Sequence, residues 1–133
     1  MNNLRMLALS LALVVATGAC GDSNVIGPDN QLEVTNATDN FQLQVSVLEG
    51  VSQTLTYTWQ NTGTQATIDI SQAITSGTAL LTITDADGAV VYQEDIGEDS
   101  DGQSTVGVMG GWGIHVDLEA VSGTFNFRVQ RTT

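Results

Sequence analysis

This chain of 133 residues has no lysine, one cysteine, one histidine and one proline. Each scarcity closes off a kind of chemistry. Three arginines face fifteen aspartates and glutamates, for a formal net charge of −12. Arg5 precedes Cys20 and every acid follows it, so the part from Cys20 onward carries two arginines against fifteen acids, a formal −13. Nucleic-acid binding depends on Lys and Arg displacing counterions from phosphates, so nucleic acid is excluded as a partner. Attraction to anionic headgroups is excluded on the same ground. A single cysteine leaves no disulfide within the chain, no cysteine-based zinc site and no thiol redox pair. After Cys20, no window of eleven or more residues carries an apolar stripe at helical spacing.

What is present begins with residues 1–20, MNNLRMLALSLALVVATGAC. A polar start with Arg5 leads into an apolar stretch, Met6 to Ala16, interrupted by Ser10. Thr17, Gly18 and Ala19 then supply small residues. That order is the one of a secretory signal: basic start, apolar middle of about 7–15 residues, small-residue cleavage site. The apolar stretch falls short of the roughly 20 residues that a bilayer-spanning helix needs.

Gly18-Ala19-Cys20 makes the segment resemble the lipobox of bacterial lipoproteins, although Thr17 stands where an aliphatic residue is usual. The resemblance implies cleavage before Cys20, a diacylglycerol thioether on its sulfur and an acylated amino group. Two or more acyl chains, at about 0.8 kcal/mol per buried CH₂, anchor stably where one does not. An ordinary signal peptide with a chance cysteine is the alternative. The expected organisation is a lipoprotein signal peptide over 1–19, a lipidated cysteine and flexible tether over 20–30, and a β-domain over 31–133. The tether, polar and broken at Gly27-Pro28, reaches at most about 35 Å. The expected location is the bacterial cell envelope, with inner or outer membrane left open.

From Gln31 onward apolar residues recur with period two, the mark of half-buried strands. Phe41, Leu43, Val45 and Val47 form one such series, and Leu55, Tyr57 and Trp59 another. Ala66, Ile68 and Ile70 follow, then Leu81 and Ile83, then Trp112, Ile114, Val116 and Leu118, and last Phe125, Phe127 and Val129. Turn formers separate the runs: Glu49-Gly50, Asn61-Thr62-Gly63, Ser76-Gly77, Asp87-Gly88, Asp101-Gly102, Gly110-Gly111 and Ser122-Gly123. The spacing predicts an all-β fold of about eight or nine short strands, an antiparallel β-sandwich of jelly-roll type, with a small closed barrel as the alternative.

The stretch TALLTITDADGAVVYQEDI, a glycine-rich loop, then GWGIHVDLEAVSGTFNFRVQ resembles bacterial pre-peptidase C-terminal domains and P-domain-like sandwiches. It covers roughly residues 52–130. The shared positions are turns and core, so the resemblance implies the fold and transfers no catalytic residue.

Few side chains suggest chemistry. His115 alternates away from Ile114 and Val116, onto the face of Gly113 and Asp117. No serine lies in a nucleophile motif, so the bland reading is a surface histidine beside an acid. Calcium wants several hard oxygen ligands on a flexible loop. Glu98, Asp99 and Asp101 offer them, and Asp85 and Asp87 join if their hairpin folds back. The spacing is not that of an EF-hand, and a solvated acidic loop explains the same letters. Trp112, among Gly110, Gly111 and Gly113, is the candidate platform for stacking a sugar, although aromatics on a strand's apolar face are usually core. The expectation is therefore no enzyme and no obligatory cofactor. The chain reads as a lipid-anchored envelope module held to the membrane through Cys20, with a structural or protein-contact role. A carbohydrate- or calcium-binding module is the alternative.

Overall fold

The computed structural model describes residues 24–97 and 100–133. A 3-10 turn at Pro28–Asn30 leads into β1 (Glu33–Ala37), β2 (Asn40–Asn61), β3 (Ala66–Thr84), β4 (Val90–Asp95), β5 (Ser100–Gln103) and β6 (Gly110–Arg131). All pairings are antiparallel, in the order β1-β2-β6-β3-β4, with β5 also on β3. The fold is all-β.

One sheet makes both layers. Phe41 and Tyr57 lie sixteen residues apart on β2, about 50 Å if the strand were straight. Their ring centroids are 5.3 Å apart. The far ends of β2 meet as well, where Asp39 N–H donates to Gln60 O at 2.9 Å. The long strands β2, β3 and β6 therefore double back, and the sheet closes on itself like a book. Its first leaf holds β1, the start of β2, the end of β6, the start of β3, and β5. The second holds the end of β2, the start of β6, the end of β3, and β4. Counted as straight segments, the three bent strands become six, and the described residues contain nine.

The expected turns at Glu49-Gly50, Ser76-Gly77 and Ser122-Gly123 are thus bends inside continuous strands. Bulges make them. The β2–β6 register slips between Val45 and Leu48, Leu48 and Val51, and Val51 and Gln53. The β3–β6 register slips between Ile74 and Ser76 and between Ser76 and Thr78. An extra residue on one strand bends it and sharpens its twist while the ladder resumes beyond. Five residues around the bend have positive φ: Val47 (50°), Gly50 (60°), Gly77 (82°), Ala120 (49°) and Gly123 (126°). The slip also corrects the reading of Val47. It leaves the inward series of Phe41, Leu43 and Val45 and is 63% exposed, while Leu48 turns inward.

Between the leaves lies one apolar core. Trp59 and Trp112 are fully buried and meet edge to face, centroids 5.9 Å apart at 90°. Each indole N–H finds a carbonyl, Trp59 Nε1 donating to Ala37 O (3.0 Å) and Trp112 Nε1 to Val108 O (2.8 Å). The expected alternation holds at Phe41, Leu43, Val45, Ala66, Ile68, Ile70, Leu81 and Ile83, all buried.

Two substitutions at the bend should act in opposite directions. A Cβ on Gly77 would sit 2.2 Å from Ala120 O. Gly77→Ala should therefore lower stability by more than about 2 kcal/mol, from clash and left-handed strain together. Val47→Asn should raise it by about 1 kcal/mol, because asparagine tolerates φ > 0 better than a β-branched residue. Urea midpoints measure both, and a Gly77→Ala protein of unchanged midpoint would show that the strands do not approach this closely.

Candidate functional site

The end of the book remote from the bend carries the most elaborate polar construction. It is built on the Asp85-Ala86-Asp87-Gly88 turn between β3 and β4. Asp85 is 6% exposed. Its Oδ1 accepts Asp87 N–H (3.0 Å) and Ala89 N–H (2.9 Å), and its Oδ2 accepts Val108 N–H (3.0 Å). These backbone donors, Ala89 and Val108 foremost, hold its carboxyl below the usual aspartate range. The loop from Ser104 to Met109 is fastened across the turn. Thr105 N–H donates to Val91 O, Ala86 N–H to Val108 O, and Gly107 N–H to Thr64 O. Val90, Val106, Val108 and Met109 are left facing solvent around this tip.

Asp85 thus serves the turn with both oxygens. Asp87 is exposed in the same turn, and Asp101 lies on β5 opposite Asp69, on the other leaf. Glu98 and Asp99 fall outside the described residues. Among the described residues no group of three His, Cys, Asp or Glu side chains is placed to hold a metal ion.

Of the two readings of Trp112, core residue or sugar platform, the structure takes the first. It is 0% exposed and offers no open face for a ring to stack on. Its glycine neighbours do not clear space around it. They admit close neighbours: a Cβ on Gly113 would meet Thr84 Oγ1 of β3 at 2.5 Å and His115 Nε2 of its own strand at 2.7 Å, and one on Gly110 would meet Ala86 Cβ of the Asp85 turn at 3.0 Å. His115 lies in a row across the second leaf between Thr56 and Thr82. Asp117, its expected neighbour on that face, accepts from Thr54 Oγ1 at 2.9 Å.

The outer face of the first leaf was not singled out from the sequence. Register aligns Asn40, Gln130, Thr67 and Gln103 in one row, Thr35, Gln42, Arg128, Asp69 and Asp101 in the next, and Glu33, Gln44, Asn126 and Ser71 in a third. Six of these side chains are amides. In the middle row Arg128 Nη2 lies 3.3 Å from Asp69 Oδ2, with both side chains about half exposed. Asp101 hydrogen-bonds Asp69 from the other side, and that bond, followed by the charge of Asp69, pushes its carboxyl above the usual range. Alternation marks these residues as outward-facing. Only the strand order brings them into rows.

No family model matches the chain, and no curated protein matches it. Among solved structures, an arabinose-bound GH51 α-L-arabinofuranosidase aligns over 75% of this chain at 15% identity and a TM-score of 0.38. The aligned part is 22% of that enzyme's length. A likeness of this size says nothing of function.

The two displaced carboxyls predict opposite pH behaviour. Asp85 has a lowered pKa in the fold, so its contribution is present above the unfolded value of about 4 and is lost as pH falls through the folded one. Asp101 has a raised pKa, so its protonated form favours the fold and that benefit fades as pH rises through the folded value. Asp85→Asn should melt lower than the parent at pH 7, and Asp101→Asn higher. The Asp101 difference should shrink first as pH falls, because its carboxyl takes up a proton above the usual aspartate range, and the Asp85 difference only at lower pH, below that range. Parallel melting curves at all pH values would remove both assignments.

Proposed function

We propose that this chain is the precursor of a lipid-anchored protein of the bacterial cell envelope, and that its β-domain has a non-enzymatic structural or protein-contact role. The observation that carries the reading is the order of residues 1–20: Arg5, the apolar Met6–Ala16, and Gly18-Ala19-Cys20. Cys20 lies outside the described residues. No helix of the described residues is long and apolar enough to cross a membrane. The absence of lysine fits an anchor that works through acyl chains rather than through charge. A role in contact rather than catalysis is supported by His115, which sits in a row of threonines on an outer sheet face.

Cells fed a labelled fatty acid should label the protein and should not label a Cys20→Ala form. Label on both forms, or on neither, overturns the anchor.

A second reading, a carbohydrate-binding module, is favoured by one feature. The six amides on the outer face of the first leaf pair donors with acceptors, as hydroxyl groups require. Crosslinking in intact cells separates the two readings. A protein partner recovered with the anchored form and lost with Cys20→Ala supports the first. Glycan recovered with the parent and lost with Gln42→Ala plus Gln130→Ala supports the second.

A further inference from the structure

The exposed large apolar side chains fall into two groups at opposite ends of the domain. Val90, Val106, Val108 and Met109 surround the Asp85 tip, and Val25, Leu32, Val34 and Val47 lie toward the bend. Val25 and Val47 of the second group line a groove of about 340 Å³, together with Pro28 and Val51. That groove is where the chain enters from its N-terminal side. Ile26 N–H donates to Gln53 Oε1 at 2.9 Å, and Asn30 Nδ2 donates to Ser46 O (3.1 Å) and Val47 O (2.8 Å). Asn30 Oδ1 in turn accepts Gly27 N–H at 2.8 Å. The expected tether of 20–30 is therefore docked from Ile26 onward.

We infer that the bent end of the domain, with Val25 and Val47 lining this groove, rests on the lipid surface and holds the Asp85 tip outward. The inference depends on lipid at Cys20. Only about four residues lead from Cys20 to Asn24, a reach of at most about 14 Å. The bilayer is thereby confined to the neighbourhood of the bend, and the exposed valines are the apolar surface nearest to it. The tip lies roughly 25 Å further along the strands. Laid on its side, the domain would press the amide rows or the threonine face into the headgroups. Upright, it loses less hydration from polar groups. Asp29 and Glu49 also line the groove, so the surface suited to it is zwitterionic.

The test uses the full chain, lipidated in cells and reconstituted into vesicles of phosphatidylcholine and phosphatidylethanolamine. Lipid on the Cys20 sulfur leaves a second cysteine, from Val47→Cys or Met109→Cys, free for an environment-sensitive fluorophore. The probe at position 47 should emit at shorter wavelength and be quenched several-fold more strongly by headgroup-nitroxide lipids than the probe at 109. Adding phosphatidylglycerol should weaken that quenching. Protein that floats with the vesicles while the 47 probe stays aqueous, or while the 109 probe is the one quenched, overturns the orientation and leaves the anchor standing. Protein that does not float overturns both.

Discussion

Three long strands must turn back without giving up their hydrogen-bond ladders, and everything else in this domain follows from how they do it. A reversal by ordinary turns would leave separate hairpins, each needing its own pairing. Here the extra residues at Val45–Gln53 on β2 and at Ile74–Thr78 on β3, answered by extra residues on β6, bend all three strands along one line. Gly77 and Gly123 lie where backbones pass closest, and a Cβ on either would come within 2.3 Å of a carbonyl oxygen. Side-chain hydroxyls and an amide satisfy the backbone that the bulges release. Thr124 Oγ1 accepts Val47 N–H, Ser122 Oγ accepts Gly50 N–H, Ser52 Oγ accepts Ala120 N–H, and Asn30 caps the carbonyls of Ser46 and Val47.

The opposite end is closed by different means. There the strand ends of both leaves are tied by Asp39, whose carboxylate accepts Thr62 N–H (2.7 Å) and Thr62 Oγ1–H (2.8 Å) and lies 3.9 Å from Arg131 Nε. The Thr62 backbone bond is the main cause holding the Asp39 carboxyl low. The paired indoles lie beneath, and the Asp85 turn with its fastened loop covers β3 and β4. One end is thus shaped by backbone geometry and the other by carboxylates accepting from backbone N–H groups.

This division explains how much could be read from the residues alone. Period-two alternation exposes the inward face because side-chain direction is local, and Phe41, Leu55 and Ile68 needed nothing more. Glycine beside a polar residue marks a place where the chain leaves the extended state, and alternation cannot say whether it reverses there or bends. Asn61-Thr62-Gly63 and Asp87-Gly88 reverse. Ser76-Gly77 and Ser122-Gly123 bend, because a third strand lies close enough to keep the ladder going. The platform reading of Trp112 fails for a related reason: its glycines signal close approach, and the approaching partners are Thr84 of β3 and Ala86 of the turn that follows it. The row of Arg128, Asp69 and Asp101 depends wholly on strand order, which periodicity does not contain.

Leaving one sheet open at both sides has a consequence of its own. The outward edges of β1, β4 and β5 are ready-made templates for another chain, and proteins commonly blunt such edges with lysine or proline. This chain has no lysine, and its one proline, Pro28, lies outside the strands. Carboxylates stand in: Glu33 on β1, Glu94 and Asp95 on β4, Asp101 on β5. A carboxylate guard works by mutual repulsion, since every copy presents the same sign along the same edges, and that repulsion is screened by salt. The domain's resistance to edge-to-edge fibre growth is accordingly set by the ionic strength of its surroundings rather than built permanently into its edges.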